Sequence, residues 1–246
     1  MFRTVGGSAV DVQIQDLQMD ASVGLSAATF SILDNSNLRK AITDQTYTWV
    51  PQSQYKTCKI QGREGDNGAW ALKVGTGRDA VYTIPTGADA VIKAGTGIQL
   101  NVNGTGKMLN LSGQVTDEQV VIPAQNNFNF IGNPFPTDCD VCDIQMDTTV
   151  GLSGATLSFL DNSNLRKAIT DQTYTWVPKS QYKTCKIQGR EGDNGAWALK
   201  VGTGRDAVYT IPTGADALIK AGSSVQINVN GTGKFIYINP TYTLAN

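Results

Sequence analysis

The chain has 246 residues, with 20 Lys and Arg against 21 Asp and Glu, 40% hydrophobic residues and no histidine. A net charge of -1 supplies no field to draw nucleic acid or an anionic membrane, and without histidine there is no Ser-His-Asp or Cys-His arrangement and no His-ligated metal site. No run approaches the roughly 18 to 20 apolar residues that cross a bilayer, and the first twenty residues lack the basic start and apolar core of a signal peptide, so the chain reads as mature, trimmed or cytosolic, with no membrane insertion.

In chain order, the first element is VDVQI, where Val10, Val12 and Ile14 alternate on one face of an expected strand. DNSN follows at Asp34, and after it NLRKAI carries Leu38 and Ile42 four apart, which makes it the one helical candidate, with a hairpin loop as the alternative. TYTWV alternates again and puts Tyr47 and Trp49 on one face; Val50 before Pro51 ends that strand. In YKTCKIQ, strand alternation puts Cys58 and Ile60 on the buried face, opposite Tyr55, Thr57 and Lys59. Asn67-Gly68 and Asn103-Gly104 have the composition of type I′ hairpin turns, and IQLNVNG alternates Ile98 and Leu100 with a polar face.

The whole series then repeats. Asp34 to Gly95 recurs as Asp161 to Gly222 at a constant offset of 127, and only Gln52/Lys179 and Val91/Leu218 differ. Looser similarity extends outward on both sides, and VVIPAQNNFNFIGNPFPTD between the copies has the Pro, Asn and Gly content of a short junction. The expected organisation is all-β: two tandem β-sandwich domains of jelly-roll-like type from an internal duplication, spanning 1–123 and 124–246. Whatever surface the first copy presents, the second presents again.

FNFIGNPFPTDCDVCDI (Phe128 to Ile144) resembles the GxNxIGNPxP opening of repeat modules in large secreted and cell-surface proteins of bacteria. YTIPTGADAVIKAGTGIQLNVNG (Tyr82 to Gly104) is similar to their closing strands. The resemblance covers about half of each module and implies an extracellular β-sandwich used in tandem as a building or display unit, without catalysis. The chain departs from it at its own start, where MFRTVGGSAVDVQIQDL lacks both prolines.

Few residues carry chemistry. Cys58 and Cys185 are equivalent across the repeat and read as core; Cys139 and Cys142 stand where the first copy has Val12 and Gln15. Cys139 is placed to meet Cys185 in a disulfide that the first module could not copy, and Cys142, on the outward face, is the candidate for a link between chains. C-x-x-C on a strand sends its sulfurs to opposite faces, which argues against zinc. REGDNG (Glu64, Asp66, Asn67) and DNSN (Asp34, Asn35, Asn37) match no EF-hand spacing, and VGTGRD lacks the Lys-Ser/Thr and following helix of a phosphate cradle. No metal and no cofactor is expected, and no acid/base motif points to an enzyme.

Tyr47, Trp49, Tyr174 and Trp176 remain open between two roles. Facing in, they are the core that a small sandwich needs; facing out, they form a platform for sugar rings. The leading expectation is a structural subunit of an extracellular or cell-surface assembly (filament, appendage or surface layer) that partners itself, with β-prone termini available for strand exchange. The alternative is an adhesive module binding surface glycans through two equivalent sites, and a viral or phage surface protein is a third reading.

Overall fold

The computed structural model describes residues 11–33, 41–62, 65–93, 98–111, 117–161, 164–221 and 223–241. It is all-β. In the first half the strands are β1 (Val12–Gln13), β2 (Leu17–Met19), β3 (Ala28–Leu33), β4 (Ala41–Pro51), β5 (Gly68–Val74), β6 (Val81–Thr83), β7 (Val91–Ile92), β8 (Ile98–Val102) and β9 (Leu109–Leu111). Two more follow, β10 (Val120–Ala124) and β11 (Asn127–Gly132). The second repeat then supplies β12 (Cys139–Asp140), β13 (Ile144–Met146), β14 (Ala155–Asp161), β15 (Asn164–Pro178), β16 (Gly195–Val201), β17 (Val208–Thr210), β18 (Leu218–Ile219), β19 (Ser224–Val229) and β20 (Lys234–Ile238). Among the described residues the α-helices are the two single turns α1 (Tyr55–Cys58) and α2 (Tyr182–Cys185), with short 3-10 turns between strands.

At the offset of 127, β12 to β20 match β1 to β9 one for one, and pairing follows the match. The first half forms an antiparallel sheet in the order β6-β5-β4-β3-β8, with β2-β9 and β1-β7 as separate pairs. The second half forms β17-β16-β15-β14-β19, β13-β20 and β12-β18 in the same way. To these it adds β11 against β19 and β10 against β20, which makes a six-stranded and a three-stranded sheet. One hydrophobic cluster joins the two: Leu157, Tyr174, Trp176, Trp197, Val225 and Ile227 from the larger sheet meet Val120, Ile144, Met146, Ile236 and Ile238 from the smaller.

The expected division at 123/124 therefore falls inside β10. Val120 pairs with Ile238 and Ala124 with Lys234, so a strand that sequence position assigns to the first module hydrogen-bonds with the second repeat. The cause is its alternation: Val120 and Ala124 are buried in the second cluster, while Val121 faces solvent at 49% exposure.

The Asn-Gly pairs also differ from expectation. Asn67-Gly68 and Asn194-Gly195 end long connections and are not hairpin turns. Asn67 Nδ2 donates to Met19 O and Asn67 N–H to Gln18 Oε1, so the asparagine fastens the connection to β2, and Asn194 repeats both bonds with Met146 and Gln145. The glycine is there for space: a Cβ on Gly68 would lie 2.5 Å from the Trp49 ring and 2.6 Å from Val50 O, with the same contacts at Gly195. At Asn103-Gly104 and Asn230-Gly231 the positive φ is present, +98° and +96° at the glycines, but the turn leads from one sheet to another and not back to the same one. The antiparallel β14–β15 pair runs to Asp161 and Asn164, which are in register. NLRKAI of the second copy is accordingly strand, within β15, and not a helix; in the first copy 34–40 are outside the described residues.

Gly68→Ala and Gly195→Ala are each expected to cost about 1–3 kcal/mol, as overpacking of a filled core does. Urea titrations of the two single variants, followed by tryptophan fluorescence, check this; an unchanged midpoint would contradict the close ring approach.

Candidate functional site

The four aromatics lie in the core. Tyr47 and Trp49 are 0% exposed, Trp176 0% and Tyr174 3%. Trp49 is in register with Trp70, their ring centroids 5.1 Å apart and edge to face, and Trp176 and Trp197 repeat this at the same distance. Trp49 Nε1 donates to Val23 O at 3.2 Å, Trp70 Nε1 to Leu17 O at 2.7 Å and Tyr47 Oη to Asp89 O at 3.2 Å, whereas Trp176 Nε1 is buried without a hydrogen-bond partner. No ring face is left for a sugar, so the platform alternative for Tyr47, Trp49, Tyr174 and Trp176 is corrected to core.

All four cysteines are buried free thiols. Cys58 and Cys185 are buried as expected, but not by strand alternation: YKTC is one helical turn, so Tyr55 and Cys58, three apart, share the inward face. The expected Cys139–Cys185 bridge is not formed, and the two sulfurs belong to different clusters, Cys139 between the sheets and Cys185 under α2. Burial pushes the Cys139 thiol up to about 12.

Cys142 is corrected from outward to inward, at 5% exposure. The strand expected through it breaks after Asp140, whose carboxylate accepts from Cys142 N–H at 2.8 Å and caps a 3-10 turn over Val141–Asp143. That turn swings the sulfur inward, where it donates to Arg190 O at 3.4 Å. Burial pushes this thiol to about 12 as well, so it is a poor candidate for a link between chains. In the first copy Gln15 does more at this position, donating to Trp70 O at 2.9 Å and accepting from Trp70 N–H at 3.1 Å.

Sequence reasoning overlooked a groove of about 610 Å³ that gathers Asp117, Asp138, Asp140 and Asp143 beside Arg190. The signal is visible in TDCDVCD, read above for its cysteines alone. Asp138 pairs with Lys220 at 2.7 Å and accepts from Ala221 N–H, and Asp143 Oδ1 pairs with Arg190 at 3.3 Å while its Oδ2 is buried without a hydrogen-bond partner. Among the described residues no three Asp, Glu, Cys or His are arranged to hold a metal ion. Glu64 and 34–37, also considered for calcium, lie outside the described residues.

Among the described residues, the copies differ most in the neighbours of two strands: β8 has one neighbour, β3, where its counterpart β19 has two; β9 has β2 alone, where β20 is flanked by β13 and β10. Ile98, Leu100 and Val102 of β8 are only partly buried, while Val225, Ile227 and Val229 of β19 are at most 1% exposed. Leu109 of β9 is 39% exposed and Ile236 of β20 is 0% exposed. The covering groups in the second copy are Val120, Ala124, Phe130, Ile131 and Phe135, all buried and all from the segment between the repeats.

No protein-family model, curated protein or solved structure matches this chain.

The carboxylates give a pH signature. Burial draws Asp147 upward, but hydrogen bonds from the Thr149 hydroxyl and from the backbone N–H of Phe235 and Thr149 outweigh it and hold the group below its usual range. A depressed carboxylate stabilises the fold above its unfolded pKa and loses that contribution as pH falls through its folded pKa. Asp147→Asn is thus expected to lower stability at pH 7, with the deficit vanishing on acidification through and below the ordinary carboxylate range. Thermal melts of both proteins from pH 7 to pH 2 check the sign; a deficit independent of pH would contradict it.

Proposed function

We propose that the chain is a non-enzymatic structural protein of the cell surface or extracellular space, built from two tandem β-sandwich units of jelly-roll-like type that arose by internal duplication. Copies associate by strand exchange into a filament, appendage or surface layer. The observation that carries this reading is the placement of β10 and β11: they precede the second repeat in sequence and yet supply an edge to both of its sheets. Each unit so built begins in the segment before its own repeat, an arrangement suited to arrays in which one unit is completed by the chain leading into it. The second unit then takes in Val120–Ala124, upstream of the expected start at 124.

The GNPFP opening at Gly132 to Pro136 supports the extracellular setting through its resemblance to tandem surface modules, and it lies at the end of β11 where that setting strand enters the fold. The adhesive, glycan-binding reading loses its candidate residues, since all four aromatics are core.

Negative-stain electron microscopy and light scattering over a concentration series test the proposal. Linear or sheet-like assemblies that grow with concentration, unchanged by reductant because the thiols are buried and free, are the expected result. A monomer at every concentration would contradict it.

A further inference from the structure

Four Asn-Gly pairs occur in the chain, and they differ in what holds their reacting groups. Asparagine before glycine readily loses its amide, because no side chain on the second residue hinders the backbone nitrogen from reaching the carboxamide carbon. At Asn67-Gly68 and Asn194-Gly195 these groups are tied down: Asn67 Nδ2 donates to Met19 O, Asn194 Nδ2 to Met146 O and Gly195 N–H to Gln145 Oε1 at 3.3 Å, and both glycines are buried. Asn230-Gly231 is exposed at both residues, and among the described residues the Asn230 carboxamide has no hydrogen-bond partner. Its N–H goes to Gly154 O at 2.9 Å and Gly231 has a φ of +96°; Asn103-Gly104 makes the same turn, with Ala27 O at 2.8 Å and a φ of +98°. The shape of the turn therefore belongs to its own sequence. One contact from elsewhere reaches the reacting nitrogen: Gly231 N–H donates to Asn126 Oδ1 at 2.8 Å. Asn126 lies on the turn between β10 and β11, which Asn129, 2% exposed, fixes from within. Asn129 Oδ1 accepts from Gln125 N–H at 2.8 Å, and its Nδ2 donates to Gln125 O at 2.9 Å and to Asn127 O at 3.2 Å.

We infer that Asn230 is a site of deamidation through a cyclic imide, and that the Asn126 side chain sets its rate. Base takes the proton from Gly231 N, and the nitrogen attacks Asn230 Cγ. The new N–Cγ bond closes a five-membered ring, the Cγ–Nδ2 bond breaks, and the amide nitrogen leaves as ammonia with a proton from the solvent. Water then opens the imide at either carbonyl and leaves an α-aspartyl residue or a β-aspartyl one, whose side-chain carbon has entered the main chain. Asn126 opposes the first step. Its Oδ1 occupies the Gly231 N–H, so that bond must break before base can take the proton or the nitrogen can swing onto Cγ. The product places a carboxylate in the turn that joins β19 and β20, the strands on which β11 and β10 lie: Val229 is in register with Asn127, and Lys234 with Ala124. The contact between the two turns thus braces the closing segment and slows the ageing of the turn it touches. This inference goes beyond the proposed assembly and does not depend on it.

The test incubates the full chain in mildly alkaline buffer and follows all four Asn-Gly pairs by peptide mapping and mass spectrometry, with α- and β-aspartyl forms separated by chromatography. A synthetic peptide of residues 225–236 supplies the unhindered rate, and Asn230 in the folded chain is expected to convert more slowly than the peptide. Asn126→Ala is expected to speed conversion at Asn230 about fivefold, as for loss of one hydrogen bond, and to leave the other three pairs unchanged. Asn126 is exposed, so its truncation spares the core. Asn126→Asp keeps an acceptor oxygen for the Gly231 N–H and is expected to retain the slow rate. Equal rates at Asn230 in the unsubstituted chain and in Asn126→Ala would overturn the role of Asn126. Acceleration at all four pairs would overturn it too, since a loosened fold and not one bond would be the cause. No conversion at Asn230 in Asn126→Ala over the time in which the peptide converts fully would overturn the site itself.

Discussion

The core of the second half depends on how its two sheets are closed at one side. A β-sheet edge exposes a row of backbone donors and acceptors and, where the sheet is part of a sandwich, the flank of the apolar layer beneath it. In the second half that edge is covered by β10 and β11, which pair with β20 and β19 and bury Phe130, Ile131 and Phe135. The consequence is a core in which Ile227 and Ile236 are fully dry. The first half, with the same strands from β1 to β9, leaves Leu100 and Leu109 in partial contact with water. At about 25 cal/mol per Å² of apolar surface, covering several such side chains is a substantial term beside the small net stability of a domain.

The near-identical stretch encodes β4 through β7, with the tryptophan pair and the glycines that let the rings approach the backbone. The looser segments encode β1, β2, β3, β8 and β9 and their counterparts, and of these β19 and β20 pair with the closing segment. Gln15 and Cys142 illustrate the difference. In the first copy an amide side chain satisfies both backbone groups of Trp70, and in the second a thiol sits at that position beneath Arg190.

The all-β class was legible in the sequence because alternation acts locally: Tyr47 and Trp49, two apart, read as one face of a strand, and burial confirms that face as the inner one. The repeat was legible as text. What escaped notice depends on contacts beyond the local pattern. Cys142 turns inward because the Asp140 carboxylate caps a 3-10 turn, a side-chain bond that alternation does not register. YKTC reads equally well as strand or helical turn until Tyr55 and Cys58 are seen to share a pocket. Asn67-Gly68 has hairpin composition, but its glycine answers to the Trp49 ring and not to a turn. The assignment of β10 is the least local of all, since Val120 finds its partner at Ile238, at the far end of the next repeat.

Residue-resolved amide hydrogen exchange on the intact chain tests the completion of one unit by the segment before it most directly. Amides of Asn127, Asn129 and Ile131 should be protected together with those of β19 and β20. Exchange of β10 and β11 at free-peptide rates would contradict the account.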